Sequence, residues 1–403
     1  MEKNFSNFNF QMKTEIVFGK DAELQTAEMI KKYGGTKVMV VMDGGGFIKQ
    51  SGLFDKVVGT LNAANIPYIE LEGVQPNPRL SLVYKGLETA KKENVDFFLA
   101  IGGGSTIDTA KSIALGMEYD GDLWDFFSGK VPERIAPVGA ISTIAATGSE
   151  TSGSAVLLDD IKLHTKKGNM FNHIRTVFAI LNPELTYTVP PFQTGSGTAD
   201  ILAHAFDSYF TYGTSYLGDK FSEAAMCAAV KYGPIALKDP TNYEARAELL
   251  LTSSFSHNDT CRIGRVRLPF SGGGHNLERH LSGMFDTAHG AGLAVMMPAM
   301  LQYLLDHDET TVAKIAQFAV RVFDVEADPA NLEEVAQKGI DRFRAWLKEL
   351  GMPATLHELA RKEVTDAHID ELMANVQFNE EGRFMGFGHC NRDDVRKIFE
   401  SVR

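Results

Sequence analysis

The first half of the chain alternates between short apolar runs and longer amphipathic stretches. Most of the apolar runs are almost continuously hydrophobic, as strands buried on both faces of a parallel sheet should be. They lie at 36–43, 66–74, 95–104, 136–143 and 176–184. Stretches of helical periodicity such as SLVYKGLETAKKEN lie between them. This alternation predicts a doubly wound α/β domain.

The two ends of the chain follow other patterns. At the N-terminus, NFNFQMKTEIVFG has apolar residues at alternate positions, which predicts paired strands. After TYTVPP (186–191) the pattern becomes helical and stays so to the end. A chain of 403 residues is also too long for one ordinary core. We therefore predict a Rossmann-like α/β domain over 1–190 and an all-helical domain over 191–403.

Composition narrows the possible partners and the compartment. A net charge of −12 argues against a nucleic acid or an anionic membrane as partner, because both require a basic face. The three cysteines are odd in number and far apart, so they predict no disulfide framework and fit a reducing compartment. We find no signal peptide, and Gly or Pro interrupts the longest apolar runs. We therefore expect a cytoplasmic protein.

A glycine loop, IGGGSTIDTAK, follows the strand predicted at 95–104. Gly102, Gly103 and Gly104 allow a sharp turn and a close approach to a ligand. Ser105 can cap the following helix, with Asp108 as its capping-box partner. The start of a helix offers free N–H groups and the positive end of a dipole, which suits a phosphate. The alternative is a tight strand–helix turn without a ligand.

Two further polar loops follow predicted strands. One is MDGGGFIKQ, where a Rossmann-type domain contacts the adenosine ribose, and the other is TIAATGSETSG. Loops at the carboxyl ends of parallel strands converge on one crevice. The sequence therefore predicts a nucleotide site formed by the three loops.

The candidate metal ligands lie in the helical half. Asp200 and His204 are four apart and share one helix face; a simple Asp–His hydrogen bond is the alternative reading. His275 and His280 are five apart, about 140° round a helix, and so point to different faces. His289 would lie roughly 21 Å from His275 on one straight helix. A glycine and the DTAHG stretch should end that helix, so that His289 folds back. The coherent set is therefore Asp200, His204, His275 and His289, without His280.

One carboxylate and three imidazoles suit Fe²⁺ or Zn²⁺. Four protein ligands also fit a closed structural site. We favour a catalytic ion, because the ligands and the glycine loops come from different halves of the chain and active sites often form where domains meet.

Four motifs together resemble the iron-containing, group III alcohol dehydrogenases, and among them the butanol dehydrogenase-like enzymes. They are GGGSTIDTAK, TGSETSG, ADILAHAFDSYF and HNLERHLSGMFDTAHG. The resemblance implies a dehydroquinate synthase-like architecture and an NAD(P)-dependent, Fe²⁺- or Zn²⁺-dependent dehydrogenase of small alcohols and aldehydes. It also implies a homodimer whose N-terminal strands often pair across the two subunits.

The resemblance assigns roles by position. Asp200, His204, His275 and His289 fall on the four metal ligands. The residues that fall on cofactor contacts are Gly103, Gly104 and Ser105 in the pyrophosphate loop, Asn77, Thr143 and Thr147, and Lys166 near the nicotinamide ribose.

Arg279 departs from the family pattern. Most members carry a second histidine at this position, beside the nicotinamide, where it is often proposed to assist proton release. Here His280 is one step further round the helix. Arg279 is therefore a candidate catalytic residue, and the proton relay is open.

The choice between NAD(H) and NADP(H) depends on the turn after the strand at 36–43. Asp43 ends that strand, where an acid binds the ribose 2′-hydroxyl and repels a 2′-phosphate. Relatives with GGGS here often accept NADPH, but Phe47 replaces the serine in this chain. Lys49 can still attract a phosphate. We favour NADH, because Asp43 is fixed whereas a lysine is mobile and solvated.

The sequence thus predicts reversible hydride transfer between nicotinamide and a small alcohol or aldehyde, with a divalent ion as Lewis acid on the substrate oxygen. A polyol dehydrogenase is the alternative within this class. A dehydroquinate synthase-like lyase is a remoter one, favoured by Arg262, Arg265 and Arg267. A nucleotide-binding module without catalysis is the least favoured, because it would not need the ion.

Overall fold

The computed structural model describes residues 7–162, 165–211, 213, 215–265, 272–384 and 386–403. It divides into two compact units. The first is Gln11–Thr188, and the second is Val189–Arg403 together with residues 7–10. The sequence pattern put the boundary at residue 190 and kept the N-terminus with the first unit.

The first unit is an α/β domain. Its strands are β1 (Glu15–Phe18), β2 (Val38–Asp43), β3 (Tyr68–Val74), β4 (Phe97–Gly102), β5 (Val138–Ser142), β6 (Ser154–Leu158), β7 (Lys166–Met170) and β8 (Phe178–Leu181). Its α-helices are α1 (Thr26–Lys32), α2 (Phe47–Gln50), α3 (Leu53–Ala63), α4 (Leu80–Lys92) and α5 (Gly104–Met117). Short 3₁₀ helices span Ala22–Gln25, Leu123–Phe127, Asn172–Ile174 and Pro183–Thr186.

Six strands form one parallel sheet in the order β1-β8-β5-β4-β2-β3. Successive residues of β2 pack into two apolar clusters, with Met39 and Val41 in one and Val38 and Val40 in the other. The sheet is therefore buried on both faces, as the continuous apolar runs predicted. The chain winds from β2 to β3 in one direction and from β4 through β5 to β8 in the other. The switch point between β2 and β4 is where such sheets bind ligands.

Two parts of the chain before residue 189 differ from the prediction. Within 7–19 only Glu15–Phe18 forms a strand, and it pairs with β8, so the predicted pair of strands is wrong. The alternating side chains of Phe8, Phe10 and Met12 are 39–43% exposed, and these three residues lie outside any strand. The antiparallel hairpin β6–β7 was missed, because the sequence of β7, KKGNM, is polar and carries no apolar alternation.

The second unit is helical, as predicted. Its helices are α6 (Pro191–Tyr209), α7 (Tyr216–Lys238), α8 (Tyr243–His257), α9 (Gly274–Phe285), α10 (His289–His307), α11 (Glu309–Phe323), α12 (Leu332–Glu349), α13 (Leu356–Ala360), α14 (Asp366–Asn375) and α15 (Arg392–Ser401). A 3₁₀ helix spans Thr260–Arg262. Within the ranges described above, no helix combines the length and the apolar character that crossing a bilayer requires.

Helix α6 is the central element of this unit. Every residue from Thr194 to Tyr209 is buried. Apolar side chains account for much of this surface, but Asp200, His204 and Asp207 are buried with them. Buried charged groups require partners, so these three polar residues of α6 are candidates for a functional site.

Candidate functional site

Three predicted ligands converge in the helical unit. Asp200 lies in the middle of α6, His275 in the first turn of α9, and His289 is the first residue of α10. One ligand atom from each of the three lies within 4.8 Å of the others. Helix α9 ends at Phe285, and Asp286 has a left-handed backbone with φ 49°. The helix therefore ends before His289, as the sequence predicted, and the chain returns to the site.

Two atoms of this cluster face each other without a hydrogen bond. Oδ1 of Asp200 and Nε2 of His275 are 3.7 Å apart, and both are buried and unpartnered within the described residues. Leaving such groups unsatisfied is costly. A divalent cation would satisfy both, and a carboxylate with imidazoles is a donor set that Fe²⁺ and Zn²⁺ accept. The residues present therefore fit a transition-metal ion.

His204 lies beside this group but is not one of the three. Its Nδ1 donates to the backbone carbonyl of Asp200 at 2.8 Å and lies 3.3 Å from the Oδ1 atom of Asp200. Because a carbonyl only accepts, Nδ1 carries the proton and Nε2 keeps the lone pair. Its ring centroid is 4.5 Å from that of His275. His257, at the end of α8, stacks on His204 with centroids 4.0 Å apart; nothing in its sequence spacing pointed to it.

Two carboxylates contact the Nδ1 atoms of His275 and His289 and so orient the two rings. The sequence analysis identified neither carboxylate. Asp207 accepts from Nδ1 of His275 at 2.8 Å and from the backbone N–H groups of Gly274 and His275. The carboxylate of Glu278 is in contact with Nδ1 of His289. Such carboxylate–histidine pairs fix the ring and the tautomer of metal ligands. A signal existed for Asp207, which lies two helical turns after Asp200 on the same face.

A close helix approach brings the ligands together. A Cβ at Gly290, in the first turn of α10, would overlap the backbone carbonyl of Ser196 in α6. Only glycine permits this contact. His289 and Asp200 are each within about one turn of that contact point, so the missing side chain sets the spacing of the site.

The electrostatics of the cluster follow from burial and from its carboxylates. Burial would lower the pKa of His275, but Asp207 and Asp200 outweigh burial and raise it to about 10. Burial lowers the pKa of His204 to about 3, against the attraction of Asp200. Burial would raise the pKa of Asp200, yet the neighbouring histidines hold it below its usual value. The histidines therefore surround an ionised carboxylate.

Arg279 and His280 form a separate pair on α9. Both are partly buried, and Nε of Arg279 donates to Nε2 of His280 at 3.4 Å. Burial, and then the charge of Arg279, lower the pKa of His280 to about 3. His280 is outside the ligand group, in agreement with the face argument.

The glycine loop begins α5, but its predicted cap is wrong. The N-cap residue is Gly103, and no side chain caps the helix. Asp108 turns instead toward the loop after β5, where it accepts from Ser149 Oγ at 2.5 Å and from the backbone N–H of Val156 at 3.0 Å. Burial raises the pKa of Asp108, against the charges of Lys111 and Lys166. The carboxylate of Asp108 therefore makes a tertiary contact with the loop after β5 and does not cap its own helix.

Lys111 fixes the same loop from inside. The side chain is fully buried, and Nζ donates to the backbone carbonyls of Ser149, Ser152 and Ser154. Burial lowers the pKa of Lys111 to about 8. A single cation thus holds the loop that follows β5 against α5.

The predicted cofactor residues all lie in the α/β unit, most of them at the carboxyl ends of strands. Gly103, Gly104 and Ser105 follow β4, Asp43 ends β2, Asn77 follows β3, and Thr143 and Thr147 follow β5. A Cβ at Gly104 would overlap Thr147, so these two loops approach closely. Lys166 differs from the others, because it begins β7 in the separate hairpin.

Asp43 closes the turn after β2. Its Oδ2 accepts from the backbone N–H groups of Gly45 at 3.0 Å and of Phe47 at 3.4 Å. Its Oδ1 is buried and has no hydrogen-bond partner within the described residues. This oxygen is a free acceptor at the switch point of the sheet.

Comparison with known proteins covers nearly the whole chain. The family described as "Iron-containing alcohol dehydrogenase" matches residues 13–183, and "Fe-containing alcohol dehydrogenase family, C-terminal" matches 194–402. NADH-dependent butanol dehydrogenase A of Clostridium acetobutylicum is 38% identical over 98% of this chain and 99% of its own length. NADPH-dependent aldehyde reductase YqhD of Escherichia coli is 30% identical over 99% of this chain and 100% of its own.

The fold has a matching experimental structure. The crystal structure of NADH-dependent butanol dehydrogenase A from Thermotoga maritima superposes with a TM-score of 0.90 at 33% identity. The match covers 100% of both chains.

Proposed function

We propose a function for this chain from the premise that it belongs to the iron-containing alcohol dehydrogenase family. It is an NAD(P)-dependent alcohol dehydrogenase, which interconverts alcohols and aldehydes. Within this class, we propose an NADH-dependent, metal-dependent reductase of small linear aldehydes, with butanol-like alcohols as substrates of the reverse reaction. The observation that supports metal dependence is that Asp200 Oδ1 and His275 Nε2 face each other, both buried and both without a hydrogen-bond partner within the described residues.

One divalent cation, Fe²⁺ or Zn²⁺, would be held by Asp200, His204, His275 and His289. When bound, it supplies Lewis-acid polarisation of the substrate oxygen. Asp207 and Glu278 keep the imidazoles of His275 and His289 in place.

The remaining chemistry belongs to the dinucleotide and to this chain. When bound, the dinucleotide would supply a hydride from nicotinamide C4 to the carbonyl carbon, and solvent would supply the proton of the alcohol. Gly103, Gly104 and Ser105 would bind the pyrophosphate, and Asn77, Thr143, Thr147 and Lys166 would complete the cofactor contacts. Arg279 supplies a fixed positive charge that favours negative charge on the substrate oxygen.

NADH is the proposed cofactor because of the turn after β2. The free Oδ1 of Asp43 supports this choice, because it can accept from a ribose hydroxyl and its charge opposes a 2′-phosphate. The relative at 38% identity is NADH-dependent, whereas the relative at 30% is NADPH-dependent.

The arginines that favoured the lyase have other partners. Arg265 is 2% exposed, donates to the carbonyl of Tyr209 and pairs with Asp219. Arg262 pairs with Asp259 at 4.0 Å. Arg267 lies outside the described residues. The observation that favoured this rival is therefore weakened.

We also propose a cytoplasmic homodimer. Cys227, Cys261 and Cys390 are all free thiols, which suits a reducing compartment. The edge strand β1 and the exposed Phe8, Phe10 and Met12 suit pairing with a second copy. Sedimentation of wild type against Phe8→Ser/Phe10→Ser tests this proposal, and we expect the variant to shift toward monomer.

The decisive experiment combines metal analysis with turnover. The purified protein is stripped of metal, reloaded with Fe²⁺ or Zn²⁺, and assayed with linear aldehydes, glycerol and 1,3-propanediol in both reaction directions and with both cofactors. We expect metal-dependent consumption of NADH, with the highest kcat/KM for small linear aldehydes. Turnover by the stripped protein would overturn the metal assignment. Higher kcat/KM for the polyols would overturn the substrate assignment.

A further inference from the structure

The turn after β2 contains one cation that could serve a 2′-phosphate. Within DGGGFIKQ (43–50), Lys49 is the only basic residue. It lies in α2, directly after the glycines, and its side chain is 40% exposed. A lysine here would be expected to favour NADPH by simple attraction.

The contacts of Lys49 point away from that role. Its Nζ donates to Glu70 at 2.6 Å and also to Glu72, both on β3. Glu70 and Glu72 are two residues apart, so they lie on the same face of the strand. These hydrogen bonds, to Glu70 first and then Glu72, raise the pKa of Lys49 and keep it charged. Lys49 also lies 5.0 Å from the ring of Phe54, which further fixes its position.

The backbone donors of the turn are occupied as well. The N–H groups of Gly45 and Phe47 already serve Asp43, so they are not open to a phosphate. Phe47 itself offers no hydroxyl. The local charges are three carboxylates, from Asp43, Glu70 and Glu72, against the one ammonium of Lys49.

We propose that Glu70 and Glu72 are specificity residues that exclude NADPH by holding Lys49, the cation that a 2′-phosphate would require. This rests on the proposed function, since it takes the adenosine ribose to bind at Asp43. To bind Lys49, a 2′-phosphate would have to draw the lysine away from Glu70 and Glu72. The two carboxylates, no longer neutralised, would then repel the phosphate. NADH makes no such demand, because its 2′-hydroxyl needs only the acceptor of Asp43.

The test compares cofactor selectivity in Glu70→Gln/Glu72→Gln with wild type. Glutamine keeps the size and removes the charge, so Lys49 is released toward the turn. We expect the NADPH:NADH ratio of kcat/KM for butanal to rise roughly five- to tenfold at low salt, the scale of a few exposed charge interactions. Adding Lys49→Met to the double variant should remove most of that gain, because the released lysine is the group that attracts the 2′-phosphate.

A matched control uses the same kind of pair at the other end of the sheet. Glu93 pairs with Lys37 at 3.0 Å, and Lys37 precedes β2. Glu93→Gln removes one exposed charge from a lysine pair and should leave the selectivity ratio unchanged. Because the control removes one charge and the test variant removes two, a rise of half the size in the control would attribute the effect to net charge and overturn the proposal.

Salt dependence supplies a second test that needs no double variant. In wild type the net negative patch repels the phosphate, so raising ionic strength should raise the NADPH:NADH ratio. In the double variant the freed Lys49 attracts the phosphate, so the same change should lower it. Slopes of the same sign would overturn the proposal.

Binding of fragments separates this inference from the proposed reaction. Binding of 2′,5′-ADP and ADP to the full-length protein requires no hydride transfer, and the double variant should gain affinity for 2′,5′-ADP relative to ADP. If wild type neither oxidises NADH nor binds ADP, the proposed function fails. If it does both and the double variant leaves both ratios unmoved, only the role of Glu70 and Glu72 fails.

Discussion

At the level of single residues, three histidines close together in the sequence should behave differently. His275 and His289 are in the ligand group, whereas His280 bonds with Arg279. We therefore predict that His275→Ala and His289→Ala each lose bound metal and turnover while the helical unit stays folded. His280→Ala should keep its metal. Elemental analysis after gel filtration measures this, and metal loss in the His280 variant alone would contradict the assignment.

Asp207 should act through His275 rather than on the ion directly. Asp207→Asn keeps the shape but replaces one of the two carboxylate oxygens, which together accept three hydrogen bonds, with a donor group. We predict metal affinity lower by roughly 10- to 100-fold, with secondary structure unchanged. Titration of the stripped protein with Zn²⁺ measures this affinity. Asp324→Asn, at the end of α11, is the matched control and should bind as wild type does. Equal affinity in the Asp207 variant would reject a positioning role.

Arg279 is the position where the sequence predicted a departure from the family pattern. An arginine stays charged over the working pH range, whereas a histidine titrates near neutrality. We predict that Arg279→His introduces a new inflection into the pH profile of alcohol oxidation and leaves metal content unchanged. Stopped assays across pH, with metal analysis at each point, provide the readout. A profile that overlays wild type would mean that Arg279 does not act on the reacting groups.

The sequence identified residues by type and spacing, and it missed those defined only by contact. Asp200, His275 and His289 were accessible because helix periodicity and a helix break are local properties. Glu278 and His257 were not, because their partners lie on other helices. The Ser105–Asp108 cap was wrong for the same reason, since a tertiary contact to Ser149 outcompeted the local one.

At the level of elements, the approach of α10 to α6 should control the metal centre. Gly290→Ala places a methyl group on the carbonyl of Ser196. We predict destabilisation by roughly 1–3 kcal/mol, the usual range for overpacking, together with weaker metal binding. Urea denaturation with and without metal measures both effects.

The same substitution at a glycine in another helix should change the stability in the opposite direction. Gly59 lies in α3 with nothing within 4 Å of a built Cβ. Gly59→Ala should therefore stabilise the protein by about 0.4–1 kcal/mol. If both variants shift stability in the same direction, helix propensity rather than the α6–α10 contact explains the result.

Helices and strands could be predicted from the sequence where buried and exposed residues follow a regular pattern along the element. The inner strands β2, β4, β5 and β8 are buried on both faces, and α11 and α12 are amphipathic, so the sequence pattern marks both kinds of element. Strand β7 is short, polar and exposed, so no pattern marks it. The N-terminal alternation marks apolar positions, but residues 7–14 form no strand.

At the level of the whole molecule, the two units should respond to different ligands. A ligand that binds the folded state stabilises it by mass action, by about 2.7 kcal/mol at a hundredfold excess over Kd. The proposed metal ligands are all in the helical unit, and the proposed nucleotide contacts are all in the α/β unit. We predict that chelation lowers the melting temperature of the helical unit and that NADH raises that of the α/β unit.

The chain supplies its own probes for this measurement. It has two tryptophans, Trp124 in the α/β unit and Trp346 in the helical unit. Fluorescence melts of Trp346→Phe report the first unit, and melts of Trp124→Phe report the second. If chelation moves both reporters by the same amount, the units melt together and the ligands do not act separately.

The division of the chain also imposes an order on its synthesis. Residues 11–188 are contiguous, so the ribosome completes the nucleotide-binding unit before Asp200 is made. The ligand set is incomplete until His289 has left the ribosome, and residues 7–10, among the first made, belong to the unit that is finished last. Under the proposed function, the divalent ion is therefore bound only after His289 has been made, by a chain whose proposed nucleotide-binding residues are already synthesised. Cells starved of that ion should accumulate protein that is inactive yet still binds the dinucleotide.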